Sequence, residues 1–424
     1  MLFGFAKEII TPCVKTPLAC CPPHERLYLG IHDDVFVRTC YFAGNEKMLI
    51  VAFDLLFHND ALYEKIINYA SEKYGIPRET ILVNYTHAHT APAVYGYMDF
   101  LVSDEYEDSL FKHAVICIER AMTNLMEGDA WYINVPCDWA ISRRRINNGQ
   151  CGGIEPSQDN VREKTMDIIK FTDSNGKIRG IISSYGVHPV HYPGESAISG
   201  EYPSRLCALL ECEYYGAYAM FLQGAGATSR PRTTVYGSVF LSRCSYEDVD
   251  TLATALFKII KSSLGQNRFI PLDLNIKGVT ERIKLELLVL PKQEIIKERE
   301  KSIGYVQNMN INNIIENYEK LDDFISLRVG MIRLTEDIFI CHMGGETSYE
   351  IKALLLNVFQ DKKIIFIGYT DSCLYIPTDK MISEGGYEVN SYIEFGKPGA
   401  LKPGIDAKIT NSFINMYKNL RSKI

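Results

Sequence analysis

Nine histidines stand in the 424-residue chain, and four of them fall in two tight pairs, His87/His89 in NYTHAHTAP and His188/His191 in SSYGVHPVHY. Each pair follows an apolar run that breaks at a polar or proline-marked turn. There side chains emerge at the carboxyl edge of a sheet, where α/β folds hold their ligands. On an extended segment His-x-His turns both imidazoles to one face, because the strand period is two. One such pair is more often an accident of core or surface than a ligand set; two at strand ends point to a divalent metal. Neutral imidazole is a common metal ligand, and catalytic zinc takes three or more protein ligands while leaving room for water. A carboxylate is the natural third. Glu346, in CHMGGETSYE, follows the strand-like IFICHM through two glycines, which let the backbone approach a ligand closely before a helix begins at 349. A helix N-terminal carboxylate held by the macrodipole is the competing reading of Glu346. His342, inside the strand, reads as structural.

The elements that would position these residues alternate in type. Short β-branched and apolar runs predict strands over 48–55, 80–86, 131–135, 166–172, 180–187, 217–223, 279–290, 324–334 and 363–370. Helical periodicity predicts a helix from Asp60 to a stop at Gly75, and others over 106–126, 203–213, 245–264, 308–321, 349–359 and 405–421. Such alternation predicts a mixed α/β core. No Pro- or Ser-rich linker divides the chain; a soft division falls near 262–275, and the Lys-, Glu- and Asn-rich stretch 291–322 reads as an exposed helical excursion. ILVNYTHAH (81–89) and IFIGYTDSC (365–373) echo one another weakly, at a length where chance is the simpler explanation.

Composition narrows the function classes. Hydrophobic residues are 46% and charged residues 23%, which excludes a disordered, collagenous or coiled-coil chain. The formal charge is −7 and the longest basic run is Arg143-Arg144-Arg145, so a small molecule is expected as partner and nucleic acid is not. Twelve cysteines are scattered through core-like stretches, with only Cys20 and Cys21 close together and no CxxC pair, which predicts reduced thiols. The start lacks a basic n-region with an apolar stretch behind it, and no apolar run approaches ~18 residues, so a cytoplasmic chain without a transmembrane segment is expected.

GFAKEIITP (4–12), THAH (86–89), VHPVH (187–191), QGAGATS (223–229), GGE (344–346) and Tyr375-Ile-Pro-Thr followed by Gly386-Tyr387-Glu388 stand in an order that resembles the catalytic domain of neutral ceramidases over nearly the whole chain. The resemblance implies a single large catalytic domain over 1–424, a mixed β-sheet core flanked by helices, without the C-terminal immunoglobulin-like domain of long ceramidases. It implies a zinc amidase in which His87, His188, Glu346 and Tyr375 hold Zn²⁺ and metal-activated water attacks the amide. His89 resembles the histidine beside that water, Tyr387 the phenol bonded to the substrate oxygen, and Arg143, after Ser142, the arginine of the pocket wall. A solvated loop is the competing reading of the three arginines.

Departures from the family pattern bear on the substrate. Its Gln-Gly-Asn-x-Gly-Asp segment is Gln223-Gly224-Ala225-Gly226-Ala227-Thr228-Ser229 here, and its THTHSGP is THAHTAP. The expected substrate is therefore a small-molecule or lipid-like N-acyl amine other than ceramide itself. A metal-dependent ester or phosphoester hydrolase and a non-catalytic member that keeps the fold are the alternatives, and a homo-oligomer stays open. Scarce phosphate-binding arginines count against the phosphoester reading, and the retained His89 and Tyr387 count against a purely structural site.

Overall fold

One arrangement of four strands recurs three times in the computed structural model, which describes residues 1–19, 27–57, 60–94, 103–191, 197–301, 305–371 and 374–421. In the first unit Leu2–Ile9 pairs antiparallel with Phe36–Ala43, which pairs antiparallel with Lys47–Phe53, which lies parallel to Ile81–Tyr85. Helix α1 (Asp60–Tyr74) joins the two parallel strands and α2 (Asp104–Thr123) follows the fourth. The second unit repeats the pattern with Met126–Pro136, Thr165–Asp173, Ile178–Tyr185 and Tyr218–Gln223. Its helices are α3 (Glu201–Glu213) and α4 (Tyr246–Leu264), the latter opened by a Ser245–Asp248 capping box. The third unit uses Lys277–Val289, Phe324–Arg333, Ile338–Met343 and Lys363–Ile367. An excursion of α5 (Lys292–Lys301) and α6 (Tyr305–Asn317) follows its first strand. Helix α7 (Tyr349–Val358) then joins its parallel strands; α8 (Asp379–Glu384), α9 (Tyr387–Asn390) and α10 (Ile405–Arg421) complete the chain.

The first two units join through their first strands into one sheet, and the third forms a second sheet. Strand alternation explains the layering. Phe3 and Phe5, Cys40 and Phe42, Met48 and Ile50 face the second sheet, where they meet Ile340 and Ile365 in one buried cluster. Phe171 lies at its centre, 5.4 Å from the Phe3 ring and 5.2 Å from that of Phe5. The alternate residues Ala6, Val37, Leu49 and Val51 face α1 and α2. A Cβ on Gly4 would overlap the Ala121 carbonyl of α2, so only glycine allows that helix to lie so close. Each unit thus buries one face against the other sheet and one against its own helices.

The expected mixed α/β core stands. Among the described strands of eight residues or more, four had escaped the sequence reading: Leu2–Ile9, Phe36–Ala43, Ala140–Asn147 and Gln150–Ser157. Each carries charges or glycines that interrupt the apolar pattern. The helix expected over 308–321 is α6, Tyr305–Asn317, and the excursion 291–322 holds α5 as well; Ile295, Ile311 and Ile314 are buried against Ile393, leaving the charges in solvent. The echo between 81–89 and 365–373 marks equivalent fourth strands. Asn84 ties them together: its Nδ2 donates to the Gly368 carbonyl at 2.8 Å, and its Oδ1 accepts from the Gln223 amide of the second unit at 2.9 Å. The nine described cysteines are free; Cys20, Cys21 and Cys373 lie outside the described residues. No helix among the described residues is long and apolar enough to cross a membrane.

Candidate metal centre and active site

Third and fourth strands run parallel in every unit, so their carboxyl ends meet at one edge, and the chemistry gathers there. His188 is the third residue beyond the third strand of unit two; Glu346 is the third beyond that of unit three. His87 is the second residue beyond the fourth strand of unit one and takes a left-handed conformation at φ 65°. Tyr369, at the equivalent step of unit three, does so at φ 52°, and its ring lies 4.5 Å from that of His87. Bulky residues held in this region store strain, which persists where the surroundings over-determine it. At Gly344 a Cβ would overlap the Asp371 carboxylate, and Gly345 has φ +75°, so the turn that delivers Glu346 needs both glycines.

Three acceptors face one another at this edge. His87 Nδ1 lies 3.1 Å from the Leu56 carbonyl and His188 Nδ1 lies 2.8 Å from the Gly226 carbonyl. A carbonyl only accepts, so each Nδ1 carries a hydrogen, and in the neutral form of each ring that leaves the Nε2 lone pair turned inward. These two Nε2 atoms are 3.2 Å apart, and Glu346 Oε2 lies 3.2 Å from one and 3.0 Å from the other. Among the described residues no donor reaches Glu346 Oε2 in hydrogen-bonding geometry, although it is fully buried. Burial, with Arg143 adding to it, lowers His188 to about 4. Lone pairs packed this closely call for a cation between them. Tetrahedral ligands about 2.0–2.1 Å from zinc stand roughly 3.3 Å apart, so the residues present fit that ion.

His89 comes to the same point. Its Nε2 is 3.3 Å from that of His87, and the ring nitrogens of His87, His89 and His188 all lie within 4.8 Å of one another. Distance alone therefore leaves His89 as close as the residues expected to be ligands. Its pKa falls well below the ordinary value through burial and the neighbouring His87 and His188.

Tyr375 pairs with Glu346 in a short parallel bridge, and its ring stacks 6.4 Å from that of His188. Burial, opposed by the charge of Arg143, holds the Tyr375 phenol well above its ordinary pKa. The Arg143 guanidinium lies 5.1 Å from the Tyr375 ring and 5.5 Å from the Tyr387 ring. The solvated-loop reading of the arginines fails for two of them. Arg143 and Arg144 are buried in a strand, and Glu388 accepts from Arg143 Nε at 2.8 Å and from Arg144 Nη1 at 2.6 Å. Tyr387 stands 5.5 Å from Tyr375, at the start of α9 after two glycines with positive φ.

No protein-family model matches the chain. Among solved structures, the neutral ceramidase of Pseudomonas aeruginosa superposes with a TM-score of 0.76 at 16% identity, over 99% of this chain and 74% of that one. A ceramidase complexed with C2 gives 0.76 at 15% identity, over 99% and 75%. The chain has the neutral ceramidase fold.

Within this neutral ceramidase fold the structure brings together all seven residues expected at the site: His87, His89, Arg143, His188, Glu346, Tyr375 and Tyr387. His191 points elsewhere, its Nε2 2.7 Å from Thr233 Oγ1 and its Nδ1 3.4 Å from Glu201. The sequence reading missed the carbonyls of Leu56 and Gly226, the strained Tyr369, the arginine clamp formed by Glu388, and Glu350, whose Oε2 accepts from Thr228 Oγ1 at 2.9 Å. Carbonyls carry no residue-type signal. Tyr369 had one, the echo between equivalent strands. Ala140–Asn147, which carries the arginines, pairs with Gln150–Ser157 in a hairpin.

Proposed function

We propose that this chain is a zinc-dependent hydrolase that cleaves the amide bond of an N-acyl amine, with His87, His188, Glu346 and Tyr375 as the metal ligands. The observation that carries the reading is the buried meeting of two Nε2 lone pairs and one carboxylate oxygen with no donor among them. The neutral ceramidase fold supports amide hydrolysis, and the altered 223–229 segment supports a substrate other than ceramide. Free thiols at the nine described cysteines support work in the reducing cytoplasm.

Zinc, when bound, supplies a Lewis acid for the amide carbonyl and lowers the pKa of its water to about 7. The protein's own residues do the rest. Nδ1 bonds to Leu56 and Gly226 fix the two ligand rings in one tautomer. His89, half-buried beside the two ligand rings, takes a proton at Nε2 and hands it to the leaving nitrogen. Tyr387 donates a hydrogen bond to the substrate oxygen as negative charge grows there, and Arg143, clamped by Glu388, adds its field at the same wall.

A panel of N-acyl amines, p-nitrophenyl esters and p-nitrophenyl phosphates, offered to zinc-loaded protein, tests the reaction class. Amine release from one or more amides is expected; cleavage confined to esters or phosphates would replace this reading with the rival one.

A further inference from the structure

The hydroxyl of Tyr387 lies 2.7 Å from Oε2 of Glu394, a half-buried residue that no sequence motif singles out. Glu394 sits in the 3-10 turn Ser391–Phe395, and that turn is built into the site. Its next residue, Phe395, packs edge-on against Tyr375 at 5.5 Å and against Phe57 at 6.4 Å, while Phe57 meets His87 at 4.9 Å. From the other side, Asn310 of α6 donates to the Glu394 carbonyl at 2.6 Å. The backbone that carries the Glu394 carboxyl is therefore held by packed elements on two sides.

We propose that Glu394 is a positioning residue of this active site, which holds the Tyr387 hydroxyl from behind while that hydroxyl donates to the substrate oxygen. The proposal rests on the amidase reading. A phenol has one proton. When that proton turns to the substrate, the bond to residue 394 survives only if residue 394 donates. An oxygen–oxygen distance of 2.7 Å suits an O–H···O bond in either sense. Burial, opposed by the Tyr387 bond, raises the Glu394 carboxyl above its ordinary value. The chain of bonds then runs from the Glu394 acid to Tyr387 Oη and from Tyr387 to the substrate oxygen, with no proton gained or lost.

Glutamine at 394 can donate from its amide and leucine cannot, so the two substitutions separate a hydrogen bond from mere packing. Glu394→Leu should lower kcat about tenfold, the scale of one hydrogen bond to a charged group, with KM within about twofold and zinc content unchanged. Glu394→Gln should recover most of that loss. In a Tyr387→Phe background, Glu394→Leu should cost less than about twofold more, because the path through the phenol is already gone. Losses that multiply, or a Glu394→Leu enzyme with wild-type kcat, would overturn the proposal. An independent readout is the ¹⁹F resonance of 3-fluorotyrosine placed at 387: it should move in Glu394→Leu and move less in Glu394→Gln, and an unmoved resonance would also overturn it. Wild-type protein that releases no amine would count against the amidase reading alone, and the resonance would then decide the Glu394 contact.

Discussion

His188 and Glu346 occupy the same step of two topologically equivalent units, each the third residue beyond a third strand, and their Nε2 and Oε2 atoms meet at 3.0 Å. The equivalent step of the first unit is Leu56, whose carbonyl accepts from His87. The proposed metal centre thus lies where three copies of one supersecondary pattern converge.

Ligand loss should follow from that convergence. His188→Ala and Glu346→Gln should each weaken zinc affinity by at least about a hundredfold, since disturbing even the groups behind a ligand costs 10–100-fold. Elemental analysis after dialysis against a graded chelator series measures it; full zinc in both variants would refute the ligand assignment.

His89 lies at ligand distance, so its role needs a direct test. As a proton carrier, His89→Ala should keep one zinc per chain while kcat falls roughly 10²–10⁴-fold. Loss of the metal from this variant would make His89 a ligand instead.

The two tyrosines should fail differently. Tyr387→Phe should keep its zinc and lose roughly 10²–10³ in kcat, the scale of one oxyanion donor. Tyr375→Phe should bind zinc more weakly, with activity partly restored by added metal. The opposite pattern would exchange their roles.

Glu350 gives a pH signature of folding. Burial, opposed by the Thr228 bond, raises its carboxyl from an ordinary 4.5 to about 7. Between those values the folded chain holds a proton that the unfolded chain has released, so stability falls as pH rises, by at most about 1.4 kcal/mol per pH unit from this group. Urea melts from pH 4.5 to 7 should show that decline, and Glu350→Gln should flatten it. An unchanged slope in the variant would place the cause elsewhere.

The site was more legible in the sequence than the architecture around it. Paired histidines at strand ends and a glycine-flanked glutamate are signals of residue type, and they survive distant relationship. A solvated loop stayed open as the competing reading of Arg143 and Arg144 because the carboxylate that neutralises both, Glu388, lies 244 or more positions away along the chain. Leu2–Ile9 hid for a local reason: Gly4 serves the approach of α2, so the alternation of Phe3 and Phe5 looks broken. The threefold repetition was legible only as the echo ILVNYT and IFIGYT, because pairing order is conserved between the units while side chains are not.

Zinc titration of metal-free protein, with amine release from an N-acyl amine followed at each addition, tests the central claim most directly. The account predicts almost no release without metal and a rise that levels off at about one zinc per chain. Equal turnover in the metal-free protein, or a fully loaded protein that releases no amine from any amide in the panel, would contradict it.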